Sequence, residues 1–273
     1  MRARRSAGRY AAAGAAVLGL LVPLAASPAT AARRPGPTLS NRVVGRRVIG
    51  HSVLGRPIRA VEKGNPGAAR TVVIIGQMHG DERGGVHTAR FIIRHVRVSS
   101  RTDLWVIPTM NPDGLALGTR QNARGVDLNR NWPMNWHRGR RGPTYPGRHA
   151  ASEPETRAVL SFLRQVQPRF LTSIHQPYGA VGKFGDKPIR FQRRLARDLH
   201  LPLRDIGVDT APSRSKQKGL QPGGANNAPT MTGWYNAHYP GTAITVEFTA
   251  RPGWAYLTTV AGHGIVRASL AGR

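Results

Sequence analysis

The chain has 273 residues, with 41 Lys and Arg against 13 Asp and Glu, a formal net charge of +28 and no cysteine. That excludes disulfides, thiolate-held zinc, iron–sulfur clusters and thiol catalysis. The charge excludes little and points only to an anionic neighbourhood, such as an acidic wall polymer or nucleic acid.

Residues 1–31 read as a secretory signal peptide. Arg2, Arg4, Arg5 and Arg9 form a positive start, residues 11–26 are apolar, and Ala29-Thr30-Ala31 fits a small-x-small cleavage pattern. An uncleaved anchor is the competing reading, which Pro23 and the short apolar run disfavour. With this segment removed, no apolar run approaches the ~20 residues of a membrane span. The expected location is outside a bacterial cell, secreted or against the wall. Residues 32–41, rich in Arg and Pro, read as a flexible lead-in.

A catalytic domain is expected over 42–273. Residues 43–49 and 57–61 could pair as a hairpin. Residues 71–76 (TVVIIG) form a continuous apolar, β-branched run, the mark of a strand buried on both faces. Residues 82–98 have helical spacing, and 104–108 make a second buried strand. Residues 111–148 are long and irregular, and a loop of that length is usually functional or disordered. Ser152 and Glu155 read as a capping box opening a helix to about residue 167. A third strand is expected at 170–174, a helix at 188–199 and a mobile loop at 211–229. A fourth strand at 242–248 and a helix at 254–270 close the chain. Alternating buried strands and helices predict an α/β fold, with a mixed, mostly parallel sheet between helices.

In such sheets ligands bind beyond the carboxyl ends of the strands. Five of the 13 acids lie at or near those ends: Asp81, Glu82, Asp113, Asp127 and Glu247. His79 and Glu82, three apart at a strand-to-helix junction, can converge on one ion. His175, after another strand, would complete a two-His, one-carboxylate set with an open position for water, the pattern of catalytic zinc. Glu247, in an otherwise apolar or hydroxyl-bearing run, suits a general base. The competing reading for it is a structural ion pair with an Arg. The other eight histidines have no comparable setting and read as surface or internally satisfied residues. Loop arginines could bind a carboxylate in two-pronged fashion or stabilise an oxyanion, and Asn129 adds neutral donors.

With these pieces in place the chain resembles the zinc metallocarboxypeptidase family. The matching segments are H-G-D-E (79–82), N-P-D-G (111–114), R-x-N-x-x-G-V-D-L-N-R-N (120–131), S-E-P-E-T (152–156), His175 and V-E-F (246–248). Each is weak alone, but the ordered set is specific. Within the family the chain looks most like bacterial murein peptide amidases, which cut γ-D-glutamyl–diaminopimelate bonds. The resemblance implies an eight-stranded mixed sheet and one zinc ion held by His79, Glu82 and His175, with Glu247 as general base and acid. It further implies Arg120 as the oxyanion-stabilising residue and Asn129 with Arg130 as holders of a substrate carboxylate. The specificity pocket should be lined near Thr232. Asp113 and Asp127 are expected to support the ligands or structure the loop. One departure stands out: residues 211–229 lack the Tyr that digestive members close over substrate, and that role is not carried to Tyr235 or Tyr239. The ten-residue lead-in also leaves no room for a digestive-type prodomain.

The expected function is hydrolysis of an amide bond next to a free carboxylate, with peptidoglycan stem peptides as substrate and electrostatic contact with an anionic wall. Two other readings are compatible with the same residues: a zinc deacylase of small N-acyl amino acids, or a non-enzymatic basic binder of wall polymer or nucleic acid. Paired strand aromatics of the kind that read RNA are missing, so no specific nucleic acid is expected.

Overall fold

The computed structural model describes residues 38–206 and 229–271. The expected signal peptide, the lead-in up to residue 37 and all but the last residue of the 211–229 loop lie outside these residues. No helix among the described residues is long and apolar enough to cross a membrane.

In chain order the structure begins with β1 (Leu39–Ser40), β2 (Val43–His51), β3 (Pro57–Gly64) and β4 (Arg70–Ile75), then α1 (Gly84–His95), β5 (Val98–Ser99), β6 (Thr102–Ile107) and the short α2 (Pro112–Leu117). It continues with α3 (Pro154–Val166), β7 (Phe170–His175), β8 (Tyr178–Gly182), α4 (Ile189–Leu199) and β9 (Leu203–Arg204). It closes with α5 (Met231–His238), β10 (Thr242–Thr249) and α6 (His263–Leu270). The described end of the lead-in is tied down, since β1 pairs antiparallel with β5.

Eight strands form one sheet in the order β2-β3-β6-β4-β7-β10-β8-β9. The four central strands, β6, β4, β7 and β10, run parallel, so their carboxyl ends share one edge. The hairpin β2–β3 flanks them antiparallel on one side, and β8 does so on the other. This is the mixed sheet that the alternation of elements predicts.

Strand side chains alternate between faces. Val72 and Ile74 pack with Ile92 of α1, Phe191 of α4 and Ile265 of α6. Val73 and Ile75 pack on the opposite face with Val159 and Phe162 of α3 and Trp234 of α5. Both faces are therefore covered, which is why these strands read as unbroken apolar runs. Each fully buried aliphatic side chain contributes about 2 kcal/mol.

Several local expectations change. The helix expected from residue 82 begins at Gly84 and ends at His95, because Val96 turns extended. Its last carbonyls find an unexpected donor. Lys63 of β3 is fully buried, and its Nζ donates to the carbonyls of Ile92 (2.8 Å), Ile93 (2.8 Å) and Val96 (2.7 Å). The capping box at Ser152 is not formed. Glu153 is the N-cap residue, with no side-chain cap bond, while Ser152 Oγ donates to Glu153 Oε1 at 2.7 Å. Glu155 turns away to accept from the Val53 N–H (3.0 Å) and from Asn122 Nδ2 (3.0 Å). The expected closing helix splits: Tyr256–Gly262 is π-helical and passes into α6. The Leu257 carbonyl there accepts from Thr88 Oγ1 at 2.9 Å, the kind of side-chain insertion that widens a helical turn.

Lys63→Met keeps the bulk but leaves three helix-end carbonyls without a donor. It should lower stability by about 2 kcal/mol in denaturant unfolding. Burial pushes the Lys63 ammonium down from 10.5 to about 8. Between those values the unfolded chain binds more protons than the folded one, so folding gains with rising pH. The stability advantage of wild type over Lys63→Met should therefore grow from pH 8 to pH 10; a difference that shrinks would refute the assignment.

Candidate active site

The site sits where β4, β6, β7 and β10 end. After β4 the chain runs through Gln77 to the His79–Glu82 turn, which packs against the start of the 111–130 loop. A Cβ on Gly80 would run into the backbone of Gly114 and Thr119, so only glycine allows this approach. Gly80 N also donates to the Arg120 carbonyl at 3.3 Å. The turn is braced from below by the buried Gln77, which donates to the Gly80 carbonyl (3.0 Å) and accepts from Thr109 Oγ1 (2.7 Å). Asn111 caps α2 by accepting from Gly114 N at 2.9 Å. The glycines of H-G-D-E and N-P-D-G thus serve one contact, which sets Arg120 beside His79.

His79, Glu82 and His175 converge, all three buried, with one ligand atom from each lying within 4.8 Å of the others. His79 Nδ1 is 2.8 Å from Glu82 Oε1, and His175 Nδ1 is 3.1 Å from Glu82 Oε2. The two Nδ1 atoms face each other at 3.2 Å. Both outer nitrogens are held: His79 Nε2 by Asp127 Oδ1 (3.1 Å) and His175 Nε2 by Ser173 Oγ (3.1 Å). Holding the outer nitrogen orients an imidazole and turns its other nitrogen toward a metal. Two nitrogens and a carboxylate are the donors zinc prefers. Two imidazole nitrogens this close need a proton or a metal cation between them. The carboxylates around them favour positive charge. Burial opposes charge on His79, but Asp127 and Glu82 outweigh it and hold the imidazolium up to about 9. Glu82 is likewise held down to about 2, as His79 and His175 overcome the penalty of burial. The residues fit a zinc ion.

Asp127 is completely buried and joins two parts of the site. Besides His79 it accepts from Arg120 Nη2 at 2.8 Å and from the Asn129 N–H at 2.9 Å. Its carboxyl stays far below the usual range: burial works against the charge, and His79 and Arg120 prevail. Arg120 Nη1 comes within 3.1 Å of His79 Nδ1 and 3.5 Å of Glu82 Oε1, so its guanidinium lies at the ligand set itself. Asp113, also at a strand end, does not join the site. It accepts from Ser52 Oγ (2.8 Å), the Leu54 N–H (2.9 Å) and Arg56 Nη1 (2.7 Å), pinning the β2–β3 turn.

Glu247 is placed by strand register, opposite His175 across the parallel β7–β10 ladder. Its side chain is 6% exposed, and Oε2 is buried without a hydrogen-bond partner. Burial pushes its pKa up, Glu82 adds to that, and His175 pulls against it. The structural ion pair that competed as a reading is not formed among the described residues. Asn129 Oδ1 accepts from the Met231 N–H at 3.2 Å, joining the loop to the start of α5. Arg130 Nη1 folds back onto the Asn129 carbonyl at 2.9 Å. Thr232 is buried, with its hydroxyl 3.1 Å from that of Thr245, two residues before Glu247 on β10.

Sequence reasoning missed Ser173 and Gln77. Ser173 was findable, since it lies two residues before His175 and so shares its strand face. Gln77 gave no signal, because its partners Thr109 and Gly80 meet only in the fold.

Asp127→Asn keeps the shape but removes the charge that orients His79. It should weaken zinc binding 10–100-fold, read by competition with a chromophoric chelator, while Asp113→Asn should leave zinc affinity unchanged. Equal affinities for wild type and Asp127→Asn would show that this carboxylate does not support the metal.

Known proteins resemble the chain in sequence and in fold. The zinc carboxypeptidase profile matches residues 39–241, well over half of the chain. Murein peptide amidase A of Escherichia coli (strain K12) is 34% identical over 160 residues, covering 53% of this chain and 65% of the relative. Murein peptide amidase A of Vibrio campbellii is 31% identical over 151 residues, covering 49% and 58%. The chain thus spans less than two thirds of these relatives' length. The crystal structure of the murein-tripeptide amidase of Escherichia coli O157 superposes with a TM-score of 0.60 at 26% identity, covering 82% of this chain and 90% of that one. Carboxypeptidase A of Helicoverpa armigera shares the fold at 18% identity, with a TM-score of 0.66 and coverage of 84% and 69%. By its sequence match and its mixed sheet, the chain belongs to the zinc carboxypeptidase family.

Proposed function

We propose that this protein is a secreted, zinc-dependent hydrolase that cuts an amide bond beside a free carboxylate, with peptidoglycan stem peptides as its substrate. The observation that carries the reading is the free, buried Oε2 of Glu247, set across the strand ladder from His175. A buried carboxylate oxygen without a partner is costly, and a position beside a metal set gives it a use as a proton acceptor.

His79, Glu82 and His175 would hold a zinc ion, which would supply Lewis acidity to a carbonyl and lower the pKa of a water. The chain's own residues do the rest. Glu247 takes a proton from the attacking water at Oε2 and returns it to the leaving amine. Arg120, fixed by Asp127, offers N–H donors where negative charge develops on the carbonyl oxygen. Asn129 has spent its carboxamide oxygen on Met231, and its nitrogen makes no hydrogen bond among the described residues. With Arg130 it forms the pair that receives the substrate's carboxylate. Thr232, held to Thr245, stands at the small-residue wall of the specificity pocket.

The peptidoglycan substrate is supported by the relatives named murein peptide amidase and by the basic start of residues 1–31, which suits export. Without the four Arg of residues 1–31 the chain keeps 37 Lys and Arg against 13 Asp and Glu, a formal net charge of +24, which favours residence against an anionic wall.

Glu247→Gln should retain stoichiometric zinc and lose at least ~100-fold in kcat; full activity in that variant would remove Glu247 from the chemistry. Chelation should abolish wild-type turnover and added zinc restore it. Incubation with murein tripeptide and with linear peptides of varied C-terminal residue decides the substrate. Release of diaminopimelate from the tripeptide is expected, and cleavage of the linear set alone would exclude the murein reading.

A further inference from the structure

We propose that the 124–153 segment holds a second binding site, for a phosphate dianion, separate from the metal set. Its residues line a half-open cleft of about 480 Å³, within the roughly 300–1,000 Å³ typical of small-ligand sites. Arg124, Arg141 and Arg148 line it, with Glu153 as the one carboxylate and Tyr145 as an aromatic wall.

The charges in this cavity do not balance. Glu153 is buried and its carboxylate is already committed. Oε1 accepts from Ser152 Oγ at 2.7 Å, and Oε2 from Asn122 Nδ2 at 2.8 Å. Arg124 Nη1 stands 3.7 Å from Oε2, beyond hydrogen-bond length. Arg141 and Arg148 have no acidic partner among the described residues. Three guanidiniums against one carboxylate leave two positive charges, the complement of a dianion. The Arg141 guanidinium is also positioned, lying 5.3 Å from the centroid of the Tyr145 ring. Planar guanidiniums offer paired donors to phosphate oxygens, and phosphate has enough acceptor oxygens to engage all three.

The cavity shares backbone with the active site. Val126 lines it, and the next residue, Asp127, donates its N–H to the Tyr145 carbonyl at 2.8 Å. A phosphate bound here would thus be anchored to the segment that carries the Asp127 carboxylate.

The test is calorimetric titration of the zinc-loaded protein with inorganic phosphate, glycerol 3-phosphate and succinate at low ionic strength. Two double variants remove the same charge: Arg141→Gln/Arg148→Gln in the cavity, and Arg90→Gln/Arg94→Gln on α1. All four residues are exposed, and unchanged thermal unfolding checks that both variants fold. Wild type should bind one phosphate saturably, with at least a tenfold loss in the cavity variant and none in the α1 variant. Tighter inorganic phosphate would name the free ion as ligand, and tighter glycerol 3-phosphate a phosphorylated ester. The proposal fails if phosphate does not bind, if uptake does not saturate, if both variants lose affinity alike, or if succinate binds as tightly.

Discussion

The buried carboxylate of Asp127 is the interaction on which the site depends. One oxygen meets His79 Nε2 and the Asn129 N–H, and the other meets Arg120. A fully buried charge is tolerable only when its partners replace the lost water, and here three donors do so. The consequence is geometric. The imidazole of His79 and the guanidinium of Arg120 are referred to one carboxylate, so they cannot drift independently. The loop also stays closed upon itself: the Asp127 N–H binds the Tyr145 carbonyl, and Asn131 Nδ2 binds the Pro146 carbonyl at 2.7 Å.

The sheet supplies the remaining coordinates. Four parallel strands bring their carboxyl ends to one edge, and the ladder between β7 and β10 sets Glu247 against His175. A slip of one residue would send Glu247 to the opposite face. The register is guarded by the apolar residues on both faces, because any slip would also misplace Ile174, Val246 and Phe248 from the core. The packing that stabilises the fold is therefore the same packing that keeps a partnerless carboxylate oxygen buried opposite His175.

Charge plays two different parts. Acids are scarce, and those that are buried are almost all tied into networks: Asp127 at the metal set, Asp113 under the β2–β3 turn, and Glu153 with Glu155 around Asn122. Most arginines among the described residues are exposed and need no specific partner. The exceptions are those that a cavity or a carboxylate gathers. Lys63 shows why one cation is not an arginine: a compact ammonium can reach three carbonyls at a helix end in a fully buried pocket.

Much of the fold could be read from the chain. Continuous β-branched runs mark strands buried on both faces, whatever packs on them, so β4, β6, β7 and β10 were legible. The His79–Glu82 spacing and the placement of His175 and Glu247 near strand ends pointed to one edge of the sheet, because polar residues there have few other reasons to interrupt apolar runs. Other features lay beyond sequence reasoning. Strand β8, with glycine at both 179 and 182, has little strand preference of its own and exists because β10 offers it an edge. Helix α5 is eight residues long, too short for periodicity to announce. The capping box at Ser152 was a local rule that lost to distant partners: Val53 and Asn122 lie far away in sequence and claim Glu155 instead. Asp113 and Asp127 look alike in the chain, two acids in one irregular loop. Only the tertiary structure sends one to a turn and the other to a histidine, because a carboxylate goes where unpaired donors wait, and that is decided by packing across the sheet.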